Sequence, residues 1–538
     1  MIKLPCGSIK ADGWLKSWLK AAADRLKSAY ADVRESAWTG GAGDAWDLTP
    51  LFLYAAETVA AVTEDAELKK LADGIFSEMV SAQTRQGDFG VKAHREWYPR
   101  VYAVRAALKH FEISRDKNDL KFLRDFFKFV YNEFDSVPLR FGARLNVAEM
   151  IPAIRAVAEA FPEPFLTELT EKLEGASFDF ETLFGSLERR KPLPDVMPAG
   201  KYNRSVKKFN AAKEKLRVQK HAELSMKESK LKDLDKFEAV YEDFLLYGGA
   251  GIADGLRYLF SDSEIKNKSV CKLLDNVLEK LNERHGNALG IPSSDPAFAG
   301  NTAVAGLSAE SAAKWTEAFA AAFDACGQLR QCDRIETLVF NAIAAAFADG
   351  FSLFQSYQQP NQISIGKNAG GFYFGQGNAF RKTELTDGAP AAVSVAAAFT
   401  ERLCYTAKNA LAFPMYAPCR INAELGSIKY KITETTDYPF KNSVKFTFDA
   451  MTGSSVIKLY FRVPTGTYLK IYSGGEIVVE GEKGILEVKL RPKPADELEL
   501  AFSVPLTVSD NPDGSVSFSL GTLLLASDVG EKNSRPYA

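Results

Sequence analysis

Apolar residues recur at helical spacing through most of the first 415 residues. Val101, Val104 and Leu108 are one example, because positions three and four apart lie on the same face of an α-helix. The same spacing predicts helices in the following segments: 51–63, 66–82, 98–113, 119–134, 148–160 and 164–175. The joins between them are short and polar. This succession of helix pairs joined by short connections predicts a helical toroid.

One long stretch of the helical region is apolar almost all round. Its large apolar residues are Phe319, Phe323, Leu338, Phe340, Ile343 and Phe347. Helices of this kind belong in the core of a large protein. The amide-rich segment 357–362 follows the stretch, and loops held by buried helices often carry binding groups. We therefore expect this loop to contribute to a binding site.

The period of the hydrophobic pattern changes from helical to two-residue alternation after about Tyr416. Apolar and polar residues alternate at 428–432, 444–448 and 457–461, and glycine-containing turns separate further short strands. This alternation predicts an antiparallel β-sandwich. The sequence thus predicts a helical domain at 1–415 and a sheet domain at 416–538.

Residues 187–236 interrupt the helical pattern with a run of basic residues that begins among three prolines. A basic run can bind nucleic acid, but few aromatic residues lie among these charges and the rest of the chain is nearly neutral. An exposed charged helix or a partly disordered insertion is the favoured interpretation.

Composition limits the partners, the cellular location and the cysteine chemistry that can be expected of this chain. The 538 residues carry a formal net charge of -2, which gives no argument for nucleic acid or an anionic membrane as a partner. No apolar run has transmembrane length and the first residues lack a secretory signal, so a cytoplasmic protein is expected. The six cysteines form no CxxC pair. They are expected to be small buried side chains, outside any disulfide framework or zinc site.

Several short motifs occur in a fixed order along the chain. They are Leu4-Pro5-Cys6-Gly7-Ser8, Trp97-Tyr98-Pro99-Arg100, His285-Gly286, Tyr357-Gln358-Gln359-Pro360-Asn361-Gln362, Tyr416-Ala417-Pro418-Cys419-Arg420 and Thr436-Asp437-Tyr438-Pro439-Phe440. In this order they resemble the glycoside hydrolase 127-type β-L-arabinofuranosidases and their relatives, over nearly the whole chain apart from the basic insertion. The resemblance implies a mainly α protein, an (α/α)6 barrel followed by a C-terminal antiparallel β-sandwich.

The residues that would carry that family's chemistry are largely replaced. The resemblance implies a cysteine thiolate nucleophile, a zinc ion bound by one glutamate and three cysteines, and a separate glutamate as general acid/base. Here the metal glutamate falls at Ser308, the first metal cysteine at Glu310 and the acid/base glutamate at Pro296. The tandem cysteines fall near Thr386 and Asp387. We therefore expect neither a zinc ion nor another cofactor.

Two cysteines offer alternatives to that alignment. Cys404 is an alternative position for the tandem cysteines, although it supplies only one thiol. Cys326, after Asp324, is an alternative for a displaced metal-binding segment. The motifs from His285 to Asn341 have the family's spacing without a gap, which argues against a displaced metal-binding segment. Cys326 is therefore interpreted as a thiol of the core.

Polar and aromatic residues remain in the cleft that the resemblance implies. Flat aromatic rings and hydrogen-bonding side chains suit a sugar, so a carbohydrate site is expected. The predicted substrate-binding residues are Asp44, Trp46, Trp97, Tyr247, His285, Gln358 and Asn361. Asp295 and Glu310 are the predicted catalytic carboxylates of an ordinary glycoside hydrolysis. His285 has a second interpretation as a helix cap, and the loop around Trp46 has one as glycine turns beside a buried tryptophan.

Two hypotheses for function follow. In the first, a glycoside hydrolase-like protein binds or cleaves a carbohydrate without the zinc–thiolate machinery, either as a pseudoenzyme or through carboxylates. In the second, the protein is a non-catalytic scaffold that keeps the barrel for packing and binds a partner through the basic insertion. Carbohydrate is the expected partner, nucleic acid and membrane are not, and the formation of a homo-oligomer stays open.

Overall fold

The computed structural model describes residues 1–34, 38, 48–90, 97–136, 139, 143–180, 184, 249–261, 268–294, 306–359, 365, 378–383, 388–511 and 514–527. The basic insertion 187–236 lies outside these residues. In the described part, helices fill the N-terminal region and mostly antiparallel strands fill the C-terminal region, as the change of hydrophobic period predicted. None of the described helices is long and apolar enough to cross a membrane.

The predicted helices are present, with boundaries that differ by up to three residues. The described helices are α1 (Gly13–Arg34), α2 (Leu48–Thr63), α3 (Ala66–Ser81), α4 (Tyr98–Ser114), α5 (Lys117–Glu133), α6 (Ala143–Asn146), α7 (Ile151–Ala160), α8 (Pro164–Ala176), α9 (Gly249–Ser261), α10 (Lys268–His285), α11 (Ala309–Cys326), α12 (Arg330–Thr337) and α13 (Ala389–Thr400). Residues Val147–Met150 form a 3-10 turn before α7. Pro152 lies in the first turn of α7, where a missing N–H costs no helical hydrogen bond.

Six of the described helices pack in a closed ring. Helix α2 contacts α4 and α13, α11 contacts α13 and α9, and the short α6 contacts both α9 and α4. The helices between them in sequence pack against the ring members, for example α1 and α3 against α2, and α12 against α11. Buried alanines line much of α2, α11 and α13, which leaves little side-chain volume between neighbouring ring helices.

Helix α11 has sharply defined ends. The hydroxyl of Ser308 accepts a hydrogen bond from the backbone N–H of Ser311 at 3.0 Å and so caps its N-terminus. Gly327 ends the helix with a φ of 65°, a left-handed conformation that glycine adopts without a steric cost. Beyond α12 the chain continues as a π-helical turn, Leu338–Ile343.

Two large sheets form the C-terminal region. The described strands are β1 (Ile2–Lys3), β2 (Ile9–Ala11), β3 (Leu307–Ser308), β4 (Phe347–Ala348), β5 (Leu353–Phe354), β6 (Tyr357–Gln358), β7 (Arg381–Lys382), β8 (Tyr405–Ala407), β9 (Ala410–Phe413), β10 (Cys419–Leu425), β11 (Ile428–Thr436), β12 (Ser443–Met451), β13 (Ile457–Arg462), β14 (Tyr468–Ser473), β15 (Glu476–Gly481), β16 (Ile485–Leu490), β17 (Glu497–Ser503), β18 (Leu506–Asp510), β19 (Val516–Leu520) and β20 (Leu523–Leu524). One sheet has the order β15-β14-β17-β12-β11-β10-β2 and the other β1-β8-β9-β13-β16. Their pairs are antiparallel except for β9 with β13, which run parallel.

Aromatic side chains join the two sheets. The ring of Phe446 lies 4.5 Å from that of Phe413 and 5.3 Å from that of Phe461, which belong to the other sheet. The N-terminal strands take part as well, because β1 pairs with β8 and β2 pairs with β10. The first residues of the chain therefore tie the helices to both sheets.

A buried polar cluster connects the helices with the sheets. Glu336 of α12 lies 2.5 Å from Nη2 of Arg462 and accepts a hydrogen bond from the Tyr438 hydroxyl at 3.1 Å. The backbone N–H of Tyr416 also donates to Glu336, at 3.2 Å. Tyr416 and Tyr438 belong to the motifs that carry the family resemblance, so these motifs hold the framework of the fold together.

The structure corrects one expectation about the cysteines. Cys271 of α10 and Cys326, the last residue of α11, form a disulfide. Their separation of 55 residues gave no signal, because the pairing depends on where two helices meet. Cys332, Cys404 and Cys419 are buried free thiols, as their apolar context predicted.

Candidate functional site

Two positions singled out from the sequence lie directly before ring helices. Trp97 directly precedes α4, and Ser308 directly precedes α11. Five of the predicted residues lie outside the described part of the chain: Asp44, Trp46, Tyr247, Asp295 and Asn361. The described members are Trp97, His285, Gln358 and Glu310.

Trp97 and His285 are buried. Trp97 is 2% exposed and packs with its ring 6.3 Å from that of Phe129. His285 ends α10, and its carbonyl accepts a hydrogen bond from Ser293 at 2.8 Å. Burial, together with the neighbouring Arg284, lowers the pKa of His285 to about 4, so its imidazole is neutral at pH 7. As placed, both side chains contribute to packing around the ring.

Gln358 bonds to neighbouring elements of the fold through both its side chain and its backbone. Its side-chain amide donates a hydrogen bond at 2.8 Å to the carbonyl of Ala342 in the π-helical turn. Its backbone lies in β6, where it pairs with Leu307 at the start of α11. Gln358 thus connects the start of the amide-rich segment to the N-terminal end of α11, next to Ser308 and Glu310.

Glu310 lies in the first turn of α11 with 43% of its side chain exposed. It is therefore the described predicted carboxylate that a substrate could reach. Gly388, directly before α13, lies against it: a Cβ atom on Gly388 would come within 2.7 Å of the Cβ of Glu310. Gly388, the first described residue after the positions aligned with the tandem cysteines, thus lies against Glu310, the position aligned with the first metal cysteine.

Lys314 connects Glu310 with a carboxylate that the sequence did not single out. Its ammonium lies 2.7 Å from Oδ2 of Asp254 on α9 and 3.4 Å from Oε1 of Glu310. Asp254 is 5% exposed. Burial, opposed by Lys314, raises the pKa of Asp254 to about 6, so its carboxyl group titrates near neutral pH.

A quartet of charged side chains follows deeper in the ring. Arg105 of α4 and Arg257 of α9 alternate with Glu149 and Glu317. Arg105 bonds to Glu317 and Arg257 to Glu149, while the pairs Arg105–Glu149 and Arg257–Glu317 are 3.9 Å and 3.6 Å long. Burial acts to raise the pKa of Glu317, but the two arginines outweigh it and the pKa is lowered. Glu317 is therefore held in its charged form.

Lys109 and Glu401 form a further buried pair beyond the quartet. Their side chains are 5% and 4% exposed, and Nζ of Lys109 lies 2.6 Å from Oε1 of Glu401. The thiol of Cys6 donates to the same oxygen at 3.0 Å. Burial and the neighbouring Glu401 carboxylate, opposed by Lys109, raise the pKa of the Cys6 thiol to about 12, so this cysteine is not a poised nucleophile.

Sequence reasoning missed these charges although one signal was available. Glu310, Lys314 and Glu317 stand at positions i, i+4 and i+7 of a helix that otherwise consists largely of alanine and phenylalanine. This spacing puts them on one face of the helix. Charges confined to one stripe of a buried helix indicate partners on facing helices, here Asp254 and Arg257 of α9.

The described positions of the family's metal site do not fit a zinc–thiolate centre. Ser308 supplies a hydroxyl that already accepts the hydrogen bond of the helix cap. Glu310 supplies a carboxylate, but the ammonium of Lys314 lies beside it and would repel a dication. Within the described residues, no three histidine, cysteine, aspartate or glutamate side chains are grouped so that they could hold a metal ion.

The chain resembles known proteins in its structure, although its sequence matches none of the family models or curated proteins. Solved structures do match: one described as a glycoside hydrolase superposes with a TM-score of 0.68 at 12% identity, over 97% of this chain and 83% of its own.

Two further structures are described as enzymes of family GH127. A GH127 β-L-arabinofuranosidase from Geobacillus stearothermophilus T6 has a TM-score of 0.66 at 14% identity, over 96% of this chain and 86% of its own. A GH127 β-arabinofuranosidase has a TM-score of 0.67 at 12% identity, over 97% of this chain and 84% of its own. The chain thus has the fold of the GH127 β-L-arabinofuranosidases in a strongly diverged sequence, as its motifs predicted.

Proposed function

We propose that this protein is a glycoside hydrolase-like protein whose carbohydrate site lies at the N-terminal ends of the ring helices and which works through carboxylates without zinc. The closed ring of α2, α4, α6, α9, α11 and α13, with helices packed against it, supports an (α/α)6 barrel. The two sheets joined by aromatic residues support a β-sandwich after it. The proposed domain division remains 1–415 and 416–538.

The pair Asp254–Glu310, bridged by Lys314, carries the proposal. Because both carboxylate oxygens contact the same nitrogen, they lie at most about 6 Å from each other, which is below the ~6.5–9.5 Å of inverting glycosidases and allows the ~5–5.5 Å of retaining ones. Their environments also differ, since Asp254 is buried and Glu310 is half-exposed. Two nearby carboxyl groups in different environments are suited to separate acid and nucleophile roles.

In the proposed mechanism, Glu310 attacks the anomeric carbon while the carboxyl group of Asp254 gives its proton to the leaving oxygen. Water then attacks the glycosyl–Glu310 ester, and Asp254 takes the proton of that water, so that both carboxyl groups return to their starting forms. Asp295, the second carboxylate predicted from the sequence, stays a proposed catalytic residue of this site. Asp44, Trp46, Tyr247 and Asn361 stay proposed substrate-binding residues.

A screen of aryl glycosides, including arabinofuranosides, tests the proposal. Turnover is expected to fall by about 10²–10⁴-fold in Glu310→Gln for every leaving group. Asp254→Asn is expected to lose kcat/KM for poor leaving groups but to keep a rapid initial release of 2,4-dinitrophenolate, which leaves without a proton. Its steady-state turnover is expected to be slowed for all substrates, because Asp254 is also the base that hydrolyses the glycosyl–Glu310 ester. Asp135→Asn, on the exposed surface, is the matched control and is expected to have normal turnover.

The scaffold hypothesis is favoured by a different observation. The four charges of the quartet are paired with one another in the ring interior, as charged side chains retained for packing would be. If no glycoside is cleaved and no oligosaccharide changes the melting temperature, the scaffold hypothesis replaces the first one. Equal loss of turnover in Glu310→Gln and in Asp135→Asn would also refute the assignment of Glu310.

A further inference from the structure

A cavity of about 470 Å³ lies inside the ring, toward the C-terminal ends of its helices. On α11 its lining extends from Thr316 to Ala325, the second half of the helix. Glu310 lies in the first turn, and at ~1.5 Å per residue the middle of this lining is about 15 Å further along the helix. Glu310, Lys314 and Asp254 are not among the described residues that line the cavity.

The mouth of the cavity is at the end of the ring opposite to Glu310. Lys3, Glu112 and Asp324 are its most exposed lining charges, with 30%, 38% and 35% of their side chains accessible. Glu112 lies near the C-terminus of α4 and Asp324 near that of α11. The quartet members that face the cavity are more buried. A ligand would therefore enter from the C-terminal ends of the ring helices.

The charges in the lining cancel. The described lining contains five basic and five acidic residues: Lys3, Arg105, Lys109, Arg257, Arg402, Glu112, Glu149, Glu317, Asp324 and Glu401. Besides the quartet and the pair Lys109–Glu401, Arg402 lies 3.2 Å from Asp324. An ionic or zwitterionic ligand would have to break one of these pairs to find its own counter-charge, which is costly in a buried site.

Hydrogen-bonding atoms, in contrast, remain unsatisfied in the lining. The Nε atoms of Arg257 and Arg402 are buried and have no hydrogen-bond partner. Oε2 of Glu149 likewise accepts no hydrogen bond, because Arg105 is 3.9 Å away. Buried polar atoms are rarely left without a partner, and a small turn of these side chains toward the cavity would bring two donors and one acceptor to a ligand or water there.

We propose that this cavity is a second ligand site, which binds a small neutral polyhydroxylated molecule such as a monosaccharide or a sugar alcohol. Each hydroxyl group both donates and accepts, so one ligand can meet Glu149 and the two arginines without adding a charge. Phe260 and Phe399 add apolar surface for the carbon skeleton. The cavity volume lies in the usual range for small-molecule sites.

The site is independent of the proposed hydrolysis, because none of its described lining residues takes part in the proposed chemistry. Ala321 provides a test that keeps every charge pair: Ala321→Leu fills the cavity from α11. Ala158→Leu, on α7 and also partly buried against the core, is the matched control outside the cavity. Its melting temperature shows whether a larger side chain by itself disturbs the fold.

Titration calorimetry tests the proposal. The neutral ligands are L-arabinose, D-glucose and myo-inositol, and the charged comparators are D-glucuronate, D-glucosamine and glycine betaine. Saturable binding of a neutral polyol is expected, weakened by about tenfold or more in Ala321→Leu and unchanged in Ala158→Leu and Glu310→Gln. No saturable binding of any neutral polyol, stronger binding of a charged comparator, or polyol binding of which no component is weakened in Ala321→Leu would overturn it. Binding lost only in Glu310→Gln would place the ligand at the other end of the ring and would also overturn it, while failure of hydrolysis alone would not.

Discussion

The ammonium of Lys314 lies 2.7 Å from the carboxylate of Asp254 and joins the facing helices α11 and α9 inside the ring. The same ammonium contacts Glu310 at 3.4 Å. A buried carboxyl group and a half-exposed one thus share a single cation at the end of the ring where the family resemblance places the substrate. This arrangement connects the protein's pH dependence with its proposed chemistry.

Asp254 is expected to make the protein less stable as the pH rises from about 4 to about 6. Its folded pKa of about 6 lies above its ordinary value, so the folded state binds the proton more tightly and loses that advantage through this range. The effect has an upper size of about 3 kcal/mol. Urea unfolding of wild type and Asp254→Asn at several pH values measures it, with Asp135→Asn as the control. Parallel curves for wild type and Asp254→Asn would show that Asp254 does not titrate in this window.

Glu336 and Arg462 are expected to contribute strongly to stability. Both side chains are almost fully buried, so Glu336→Ala removes one of the two carboxylates described beside the buried Arg462 guanidinium and is expected to cost about 3 kcal/mol or more. Glu497→Ala breaks the exposed pair with Lys445 and is expected to cost less than about 1 kcal/mol. The free energies of unfolding of the two variants give the comparison. Equal losses would mean that the cluster between helices and sheets is unimportant.

Gly388→Ala is expected to disturb Glu310. The new Cβ would lie 2.7 Å from that of Glu310, at a φ of 87° that L-residues rarely adopt, so about 1–3 kcal/mol of stability should be lost together with turnover. Gly290→Ala also has a positive φ, of 73°, but meets no atom within 4 Å. The stability lost in Gly290→Ala therefore measures the cost of the positive φ alone, without a steric clash. Turnover retained in Gly388→Ala would argue against Glu310 as the reacting group.

The disulfide Cys271–Cys326 is expected to stabilise the protein by restricting the unfolded chain. Closing a segment of 55 residues contributes at most about 4 kcal/mol in the chain-entropy description. Unfolding with and without dithiothreitol measures this, and the double variant Cys271→Ser/Cys326→Ser should be insensitive to the reductant. A wild-type midpoint that dithiothreitol leaves unchanged, with two free thiols found at these positions by alkylation, would contradict the pairing.

The sequence predicted the framework better than the site. Helices and strands follow from local periodicity, and the motifs containing Tyr416 and Tyr438 point to the fold because they form the buried contacts with Glu336. The pairing of Lys314 with Asp254 and the disulfide depend on which helices become neighbours, and local spacing does not contain that information. The stripe of charges on α11 shows that a buried partner exists but does not identify it.

Hydrolysis in the presence of a chelator tests the central claim most directly. We predict that wild-type turnover of the best aryl glycoside from the screen is unaffected by EDTA, and that purified protein contains no stoichiometric zinc. Glu310→Gln should remove this turnover while leaving the melting temperature close to that of wild type. Turnover that disappears with EDTA and returns with zinc, or that persists in Glu310→Gln, would contradict a zinc-independent carboxylate site.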